Sequence, residues 1–320
     1  MQLFPDIGAV IIGRNEGARL LLCLESLQGR AGRIVYVDSG STDGSVEAAR
    51  AQGAEVVSLS LDTPFTAARA RNAGIAQLAT GDVPHYVQFV DGDCEVQPGW
   101  LAAARDVLDT HDTAAVVCGR RRERFPEASV YNRLIDIEWD TPCGVVRACG
   151  GDALMRWTAL KQVNGYNPTL IAGEEPEMCL RLRQHGWDIH RIDEEMTLHD
   201  AAILRLGQWW KRAKRAGHAY AEGAAMHGHT PERHNVAQTR RAIVWGAGVP
   251  VAALLLSLLS PWALALFLLW PLQAIRLGAT YKDGSRGAFL TLAKLPEALG
   301  VLHYWTRRLT GGQRQLIEYK

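Results

Sequence analysis

Short apolar runs alternate with amphipathic helical stretches through the N-terminal part of the chain, which predicts an α/β fold. The expected architecture is Rossmann-like, a mainly parallel sheet with helices on both faces. Polar residues of chemical interest fall just after the apolar runs, where ligands meet sheets of this kind. The C-terminal part instead carries a charge-free stretch, Ala242–Ile275, which predicts a helical membrane hairpin after the α/β domain.

Each element has its own local reason. Ile7 to Ile12 is apolar throughout and reads as a buried strand. A helix from Glu16 to Leu27 follows, with Leu20, Leu24 and Leu27 on one face. Ile34–Val37 is the next strand, then a helix from Asp43 to Gln52 with Asp43 as its cap, then the strand Glu55–Leu59. Thr66 to Leu78 reads as a helix leading into the strand His85–Val90, which delivers Asp91-Gly92-Asp93 at its end.

Beyond Asp112 the alternation is less regular. Ala114–Cys118 and Val145–Leu154 read as strands, the first followed by a basic stretch, Arg120–Arg124, in a loop reaching Trp139. Gly173–His185 reads as a helix opening with acids, which the positive N-terminal dipole favours. Trp187–Arg191 reads as a strand, with a turn before His199, and Gly150-Gly151-Asp152 as a glycine-rich turn. Ile203–Glu222 reads as a basic helix carrying Trp209, Trp210, Lys211, Arg212, Lys214 and Arg215, suited to lie at a membrane interface.

A straight helix over Ala242–Ile275 would measure about 50 Å, longer than a ~30 Å hydrocarbon core. Ser260-Pro261 lies mid-way and breaks it, giving a hairpin of Ile243–Leu259 and Trp262–Ile275 that spans or enters a bilayer. Arg240 and Arg241 flank one end, Arg276 and Lys282 the other, so both ends are expected on the cytoplasmic face. The chain therefore divides into an α/β domain (1–202), an interfacial helix and linker (203–241), the hairpin (242–276) and an amphipathic C-terminal tail (277–320).

The net charge of +1 argues against a nucleic-acid partner. Six scattered cysteines without a Cys-x-x-Cys pair point to neither a zinc site nor a disulfide framework. Met1–Asp6 lacks a basic segment followed by a long apolar run, so no secretory signal is expected. Both observations fit a reducing, cytosolic setting for the α/β domain.

Asp91 and Asp93 leave the end of a rigid strand together, which suits a hard divalent cation with positions open for phosphate. An isolated Asp-x-Asp is usually only a turn. Here it stands in ordered company.

Ala9-Val-Ile-Ile-Gly-Arg-Asn-Glu16, Tyr36-Val-Asp38-Ser-Gly-Ser-Thr-Asp43-Gly-Ser45, Ala70-Arg71-Asn72-Ala-Gly74 and Gly173-Glu174-Glu175-Pro-Glu177-Met-Cys-Leu-Arg181-Leu182 line up with it in order. This series resembles inverting glycosyltransferases of family-2 type with the GT-A fold, over Ile7 to about His199. Ser39 replaces an Asp of that signature, and Glu175 stands where the family has its catalytic Asp.

The resemblance implies a nucleoside-diphosphate sugar donor of UDP or GDP type, bound by Asn15, Glu16, Asp38, Arg71 and Asp91. It implies Mn2+ or Mg2+ held by Asp91 and Asp93, with His199 as a further ligand. Glu175 is the expected base toward the acceptor hydroxyl, with neighbouring Glu174 as the alternative. Gly150, Gly151 and Asp152 are expected beside the acceptor. Gln208-Trp-Trp-Lys-Arg212 matches the processive synthases only partly, the Arg and Trp being out of order.

The function expected from these readings is hexosyl-type transfer to a lipid-linked or glycan acceptor at the inner or plasma membrane. Exopolysaccharide or cell-envelope glycan synthesis would be its setting, with membrane lipid as a partner. The alternatives are a polyprenyl-phosphate sugar transferase and a catalytically inactive membrane scaffold.

Overall fold

The computed structural model describes residues 2–311. The chain divides into two units, one of Met1–Leu170 with Glu174–Ala202, the other of Ile171–Gly173 with Ile203–Lys320.

In the first unit β1 (Phe4–Gly13), β2 (Ala31–Asp38), β3 (Glu55–Ser58) and β4 (Tyr86–Asp91) form a parallel half-sheet. It is crossed by α1 (Ala18–Leu27), α2 (Ser45–Ala51) and α3 (Ala67–Leu78). β1 is buried from Ile7 onward, as a central parallel strand covered on both faces must be. Its end is flanked on both sides, since Gly13 pairs with Asp38 and Ile12 with Asp91. Gly74 of α3 has no room for a Cβ against Val10, and this close approach brings Arg71, one turn earlier, to the same edge.

The second half of the sheet is mixed. β5 (Cys94–Val96), α4 (Trp100–Thr110), β6 (Ala114–Glu123), α5 (Val130–Trp139), β7 (Gly144–Val146), β8 (Ala153–Arg156), α6 (Trp157–Gln162), α7 (Glu174–Gln184) and β9 (Asp188–His199) follow in the chain. The strand order is β3-β2-β1-β4-β8-β6-β9-β5, with β7 also on β9. β8 lies antiparallel to both β4 and β6.

Three expectations are corrected here. Val145–Leu154 is not one strand: β7 and β8 pair with different partners, and the Gly150-Gly151 turn separates them. Arg120–Arg124 is not a loop, because β6 runs on to Glu123 along β9, through three register irregularities. Charges survive in that strand because each guanidinium meets a carboxylate: Arg120 with Asp136, Arg121 with Asp152, Arg122 with Glu195, and Arg124 just beyond with Glu95. The stretch to Trp139 then forms α5, whose cap Ser129 accepts from Asn132 N. Nor does a turn precede His199, which ends the continuous strand β9.

In the second unit α8 spans Leu206–His227, five residues beyond its expected end. Gly217 and the Gly300 of the helix Lys294–Thr310 leave no space for a Cβ, so these two helices meet backbone to backbone. Trp209, read from sequence as an interfacial anchor, is instead buried, its ring edge-on to Phe289 at 5.1 Å.

Two apolar helices, Val236–Ser257 and Pro261–Tyr281, separate at Ser260-Pro261 as expected, because proline supplies no amide to continue the first. At 22 and 21 residues, each rises about 30 Å, and their most apolar windows are 11% and 0% buried. These two helices are long and apolar enough to cross a membrane, and among the described residues little of their apolar windows is covered. The expected C-terminal tail resolves into Gly284–Leu292, capped by Asp283, and Lys294–Thr310. Its last residues, 312–320, lie outside the described residues.

Candidate active site

The carboxyl edge of the parallel strands carries a cluster organised by Arg71. Its side chain is 2% exposed. Nη2 lies 2.9 Å from Asp91 Oδ1, and Nη1 lies 3.0 Å from Glu174 Oε1 and 2.7 Å from Glu175 Oε1. One guanidinium thus joins the first Asp of the Asp-x-Asp pair to both acids that open α7. Its carbon also sits 5.5 Å from the Tyr166 ring centre.

Asp91 is held from the other side as well. Its Oδ2 is 3.0 Å from Arg121 Nη2, and Arg121 Nε donates to Asp152 Oδ2 at 2.8 Å. Asp152 precedes β8 and is fully buried; its Oδ1 accepts from Asp91 N at 3.1 Å, and Oδ2 from Thr197 Oγ1 at 2.7 Å. The short β4–β8 pairing stops at Phe89, so this side chain takes over where the ladder ends. Burial disfavours charge on Asp91, but Arg71 and Arg121 outweigh it and hold the carboxyl below its usual range.

Gly151 completes this pocket wall. A Cβ there would stand 2.8 Å from both Arg71 Nη2 and Asp91 Oδ2, so a larger residue would displace one or both side chains of the pair. Gly150, by contrast, is exposed.

Glu175 is pushed up to about 7, first by burial and then by neighbouring Glu174, with Arg71 opposing both. A carboxylate in that range can take a proton near neutral pH. Sequence left the choice between Glu174 and Glu175 open; the side chain of Glu174 is 5% exposed against 14% for Glu175.

Asp93 faces a different partner. Its Oδ1 is 3.4 Å from His199 Nε2, and His199 Nδ1 lies 3.7 Å from Glu123 Oε2. Burial works against charge on this imidazole, yet Asp93 and Glu123 hold it above its usual range. Trp139 stands edge-on to His199 at 4.8 Å and 5.1 Å from the Arg121 guanidinium, spanning both arms of the site.

A divalent cation fits this place on two grounds. Ligand atoms of Asp93, Cys94 and His199 converge within 4.8 Å, all three residues buried. Burial, then nearby Asp152, push the Cys94 thiol well up, leaving a carboxylate oxygen and an imidazole nitrogen as donors. Also, five carboxyl groups (Asp91, Asp93, Asp152, Glu174 and Glu175) gather in the region around Arg71, Arg121 and His199, an acidic setting that favours a cation.

Asn15 and Asp38 stand on the far side of β1. Asn15 adopts the left-handed conformation at φ 57, donates from its backbone to Ser41 Oγ, and accepts from Thr42 N at 2.7 Å. Asp38 is buried and accepts from Gly40 N at 2.9 Å, Ser41 N at 3.1 Å and Tyr36 Oη at 3.2 Å. Both therefore shape the loops after β1 and β2. Asp43 does not sit at the cap position of α2, which is Gly44, but its Oδ1 accepts from Ser45 N and its Oδ2 from Gly17 N, tying the same two loops. Glu16 pairs with Arg19 at 2.7 Å.

Sequence reasoning missed Arg121, Glu123 and Trp139. Arg121 and Glu123 alternate along β6 and point to one face, a signal visible only if the strand is carried past Cys118.

Comparison with known proteins agrees with this geometry. Residues 9–165 match the model of glycosyl transferase family 2. They form a family-2 glycosyltransferase domain with the GT-A fold, and the chain is a nucleotide-sugar-dependent glycosyltransferase. The match ends before α7, so it does not reach Glu174, Glu175 or His199.

Among curated relatives, the succinoglycan biosynthesis protein ExoA of Rhizobium meliloti is 24% identical over 96% of this chain and 93% of its own length. The pre-mycofactocin glycosyltransferase of Mycobacterium tuberculosis is 26% identical over 69% of this chain and 48% of its own. Among solved structures, the mannosyltransferase PcManGT of Pyrobaculum calidifontis, in complex with GDP-Man and Mn2+, aligns with a TM-score of 0.63 at 18% identity. The alignment covers 93% of this chain and 87% of that one.

Proposed function

We propose that this chain is an inverting glycosyltransferase that moves a sugar from a UDP- or GDP-type donor to a lipid-linked or glycan acceptor. The observation that carries the reading is Arg71, which joins Asp91 at the donor edge to Glu175, a half-buried carboxyl pushed up to about 7. In the reaction the acceptor oxygen bonds the anomeric carbon from the face opposite the diphosphate. Its proton passes to Glu175 as the bond to the departing diphosphate breaks. Arg71 keeps the base and the donor edge in fixed relation, which is where proximity contributes most.

Mn2+ or Mg2+ would be held by Asp93 and His199, with Asp91 committed to its two arginines. Bound there, such an ion would supply positive charge for the departing diphosphate. Asp38 and Asn15 order the loops that receive the nucleoside, and Gly151 leaves space beside Asp91.

The two apolar helices support membrane attachment, and Arg240, Arg241, Arg276 and Lys282 near their outer ends favour a cytoplasmic position for those ends. The relatedness to ExoA over nearly the whole chain supports a setting in exopolysaccharide or envelope glycan synthesis.

The test is transfer from radiolabelled UDP- and GDP-sugars, with Mn2+ or Mg2+, to a membrane lipid extract. Label should enter the lipid or glycan fraction, and Asp93→Asn should reduce it at least about 100-fold, the scale of a lost charge-stabilising group. Equal transfer in chelator, or by the variant, would overturn the metal reading. Label released only as free sugar would overturn the acceptor reading.

A further inference from the structure

β6 ends with two residues on one face, and each backs one arm of the Asp-x-Asp pair. Arg121 grips Asp91. Glu123 stands behind His199, which in turn faces Asp93. The two strand ends are in register, Glu123 opposite His199, so this relation is fixed by the β6–β9 ladder and not by a loop.

Glu123 is 3% exposed and immobilised on several sides. Oε1 accepts from Asn132 Nδ2 at 3.1 Å and from Phe125 N at 3.2 Å; Oε2 accepts from Ala201 N at 3.0 Å. That same Oε2 is the oxygen turned toward His199 Nδ1, which itself makes no hydrogen bond. Each ring nitrogen faces a carboxylate, Nε2 toward Asp93 at 3.4 Å and Nδ1 toward Glu123 at 3.7 Å; a cation beside Asp93 needs the Nε2 lone pair, which leaves the ring proton to Nδ1, where Glu123 is the fixed carboxylate that faces it.

We propose that Glu123 is a positioning residue for the cation: it holds the His199 proton on Nδ1, so that the Nε2 lone pair faces the place beside Asp93. The inference rests on the metal reading above and goes beyond it, since neither the Asp-x-Asp pair nor the acids of α7 involve Glu123. Its four-residue chain of action runs from Asn132 and Ala201, which hold Glu123, through His199 to the space beside Asp93.

The experiment titrates Mn2+ into the full chain in detergent, with UDP or GDP present, and follows loss of the free-ion electron paramagnetic resonance signal. Far-UV circular dichroism and thermal melting monitor the fold. Glu123→Gln should weaken Mn2+ binding about 10- to 100-fold, the range for a lost carboxylate behind a ligating histidine. In a His199→Ala background the same change should cost no further affinity, because Glu123 acts through the ring.

Wild-type affinity in Glu123→Gln would overturn the inference. So would an equal loss in the His199→Ala background, which would make Glu123 a general brace for the β6 end. Should Glu123→Gln fail to fold, Asn132→Ala, which removes one of the two donors to Oε1 and leaves Oε2 in place, gives the second reading: a partial loss of Mn2+ affinity that disappears without His199 supports the proposal, and unchanged affinity opposes it. A wild-type chain that takes up no Mn2+ fails the metal reading itself, and this inference with it.

Discussion

Arg71 and Glu175 lie 2.7 Å apart in the interior, and the arginine opposes the burial that raises the glutamate. A buried guanidinium that lowers a base toward neutrality without silencing it sets both the geometry and the proton affinity of the acceptor side.

Glu175→Gln removes the proton acceptor while keeping nearly the same volume. Donor binding should persist, and transfer should fall about 100- to 10,000-fold. Equilibrium binding of the nucleoside diphosphate beside single-turnover transfer separates the two effects. If Glu174→Gln alone abolishes transfer, the base lies one residue earlier.

The pH profile follows from the same group. Glu175 is raised from 4.5 to about 7, so it carries a proton below that pH and cannot accept another. Log kcat/KM should rise with unit slope as pH increases toward about 7 and then level, and the rise should vanish in Glu175→Gln. Stability runs the other way. The folded state binds this proton more tightly than the unfolded chain, so Glu175 costs stability as pH rises from 4.5 to about 7. Above that window Glu175→Gln should melt at a higher temperature than the wild type.

Arg71→Met leaves Asp91, Glu174 and Glu175 without the charge that joins them. Loss of one partner from a buried ion network costs about 3–5 kcal/mol, which chemical denaturation would register. Arg71→Lys keeps the charge but offers a point donor in place of a fork. It should recover most of the stability while transfer stays impaired.

Gly151→Ala tests the pocket wall. Its methyl would stand 2.8 Å from both Arg71 Nη2 and Asp91 Oδ2. Donor affinity should drop with little change in melting temperature, whereas Gly150→Ala, with open space around its Cβ, should be close to silent. Equal behaviour of the two would remove the argument.

For the second unit, carbonate washing of membranes should leave the full chain in the pellet. Recovery in the soluble fraction would mean that the bare faces of Val236–Ser257 and Pro261–Tyr281 are covered by protein.

The parallel half of the sheet was legible because its rules are local: continuous apolar runs, short crossovers and amphipathic helices place Asp38, Arg71 and Asp91 on one edge. The break at Ser260-Pro261 was legible for the same reason. Arg121 and Glu123 were hidden because four arginines in five residues look like solvated loop, and only pairing with β9 makes them strand. The split of Val145–Leu154 was hidden too, since an apolar run does not declare which neighbours its two ends will choose. Composition did not say which tryptophan of the basic helix is covered: the Trp209 ring is buried edge-on against Phe289.

Arg71 and Glu174 are separated by 103 positions, and Asp91 and Asp152 by 61. During synthesis, β1 to β4 can pair while the acids of α7 are still unmade, so the nascent sheet presents Arg71 and Asp91 to each other alone. The base arrives only when α7 docks, and His199 later still. Competence for sugar transfer therefore needs the chain as far as His199, and a chain stopped before α7 has the strand edge of an enzyme without the means to activate an acceptor.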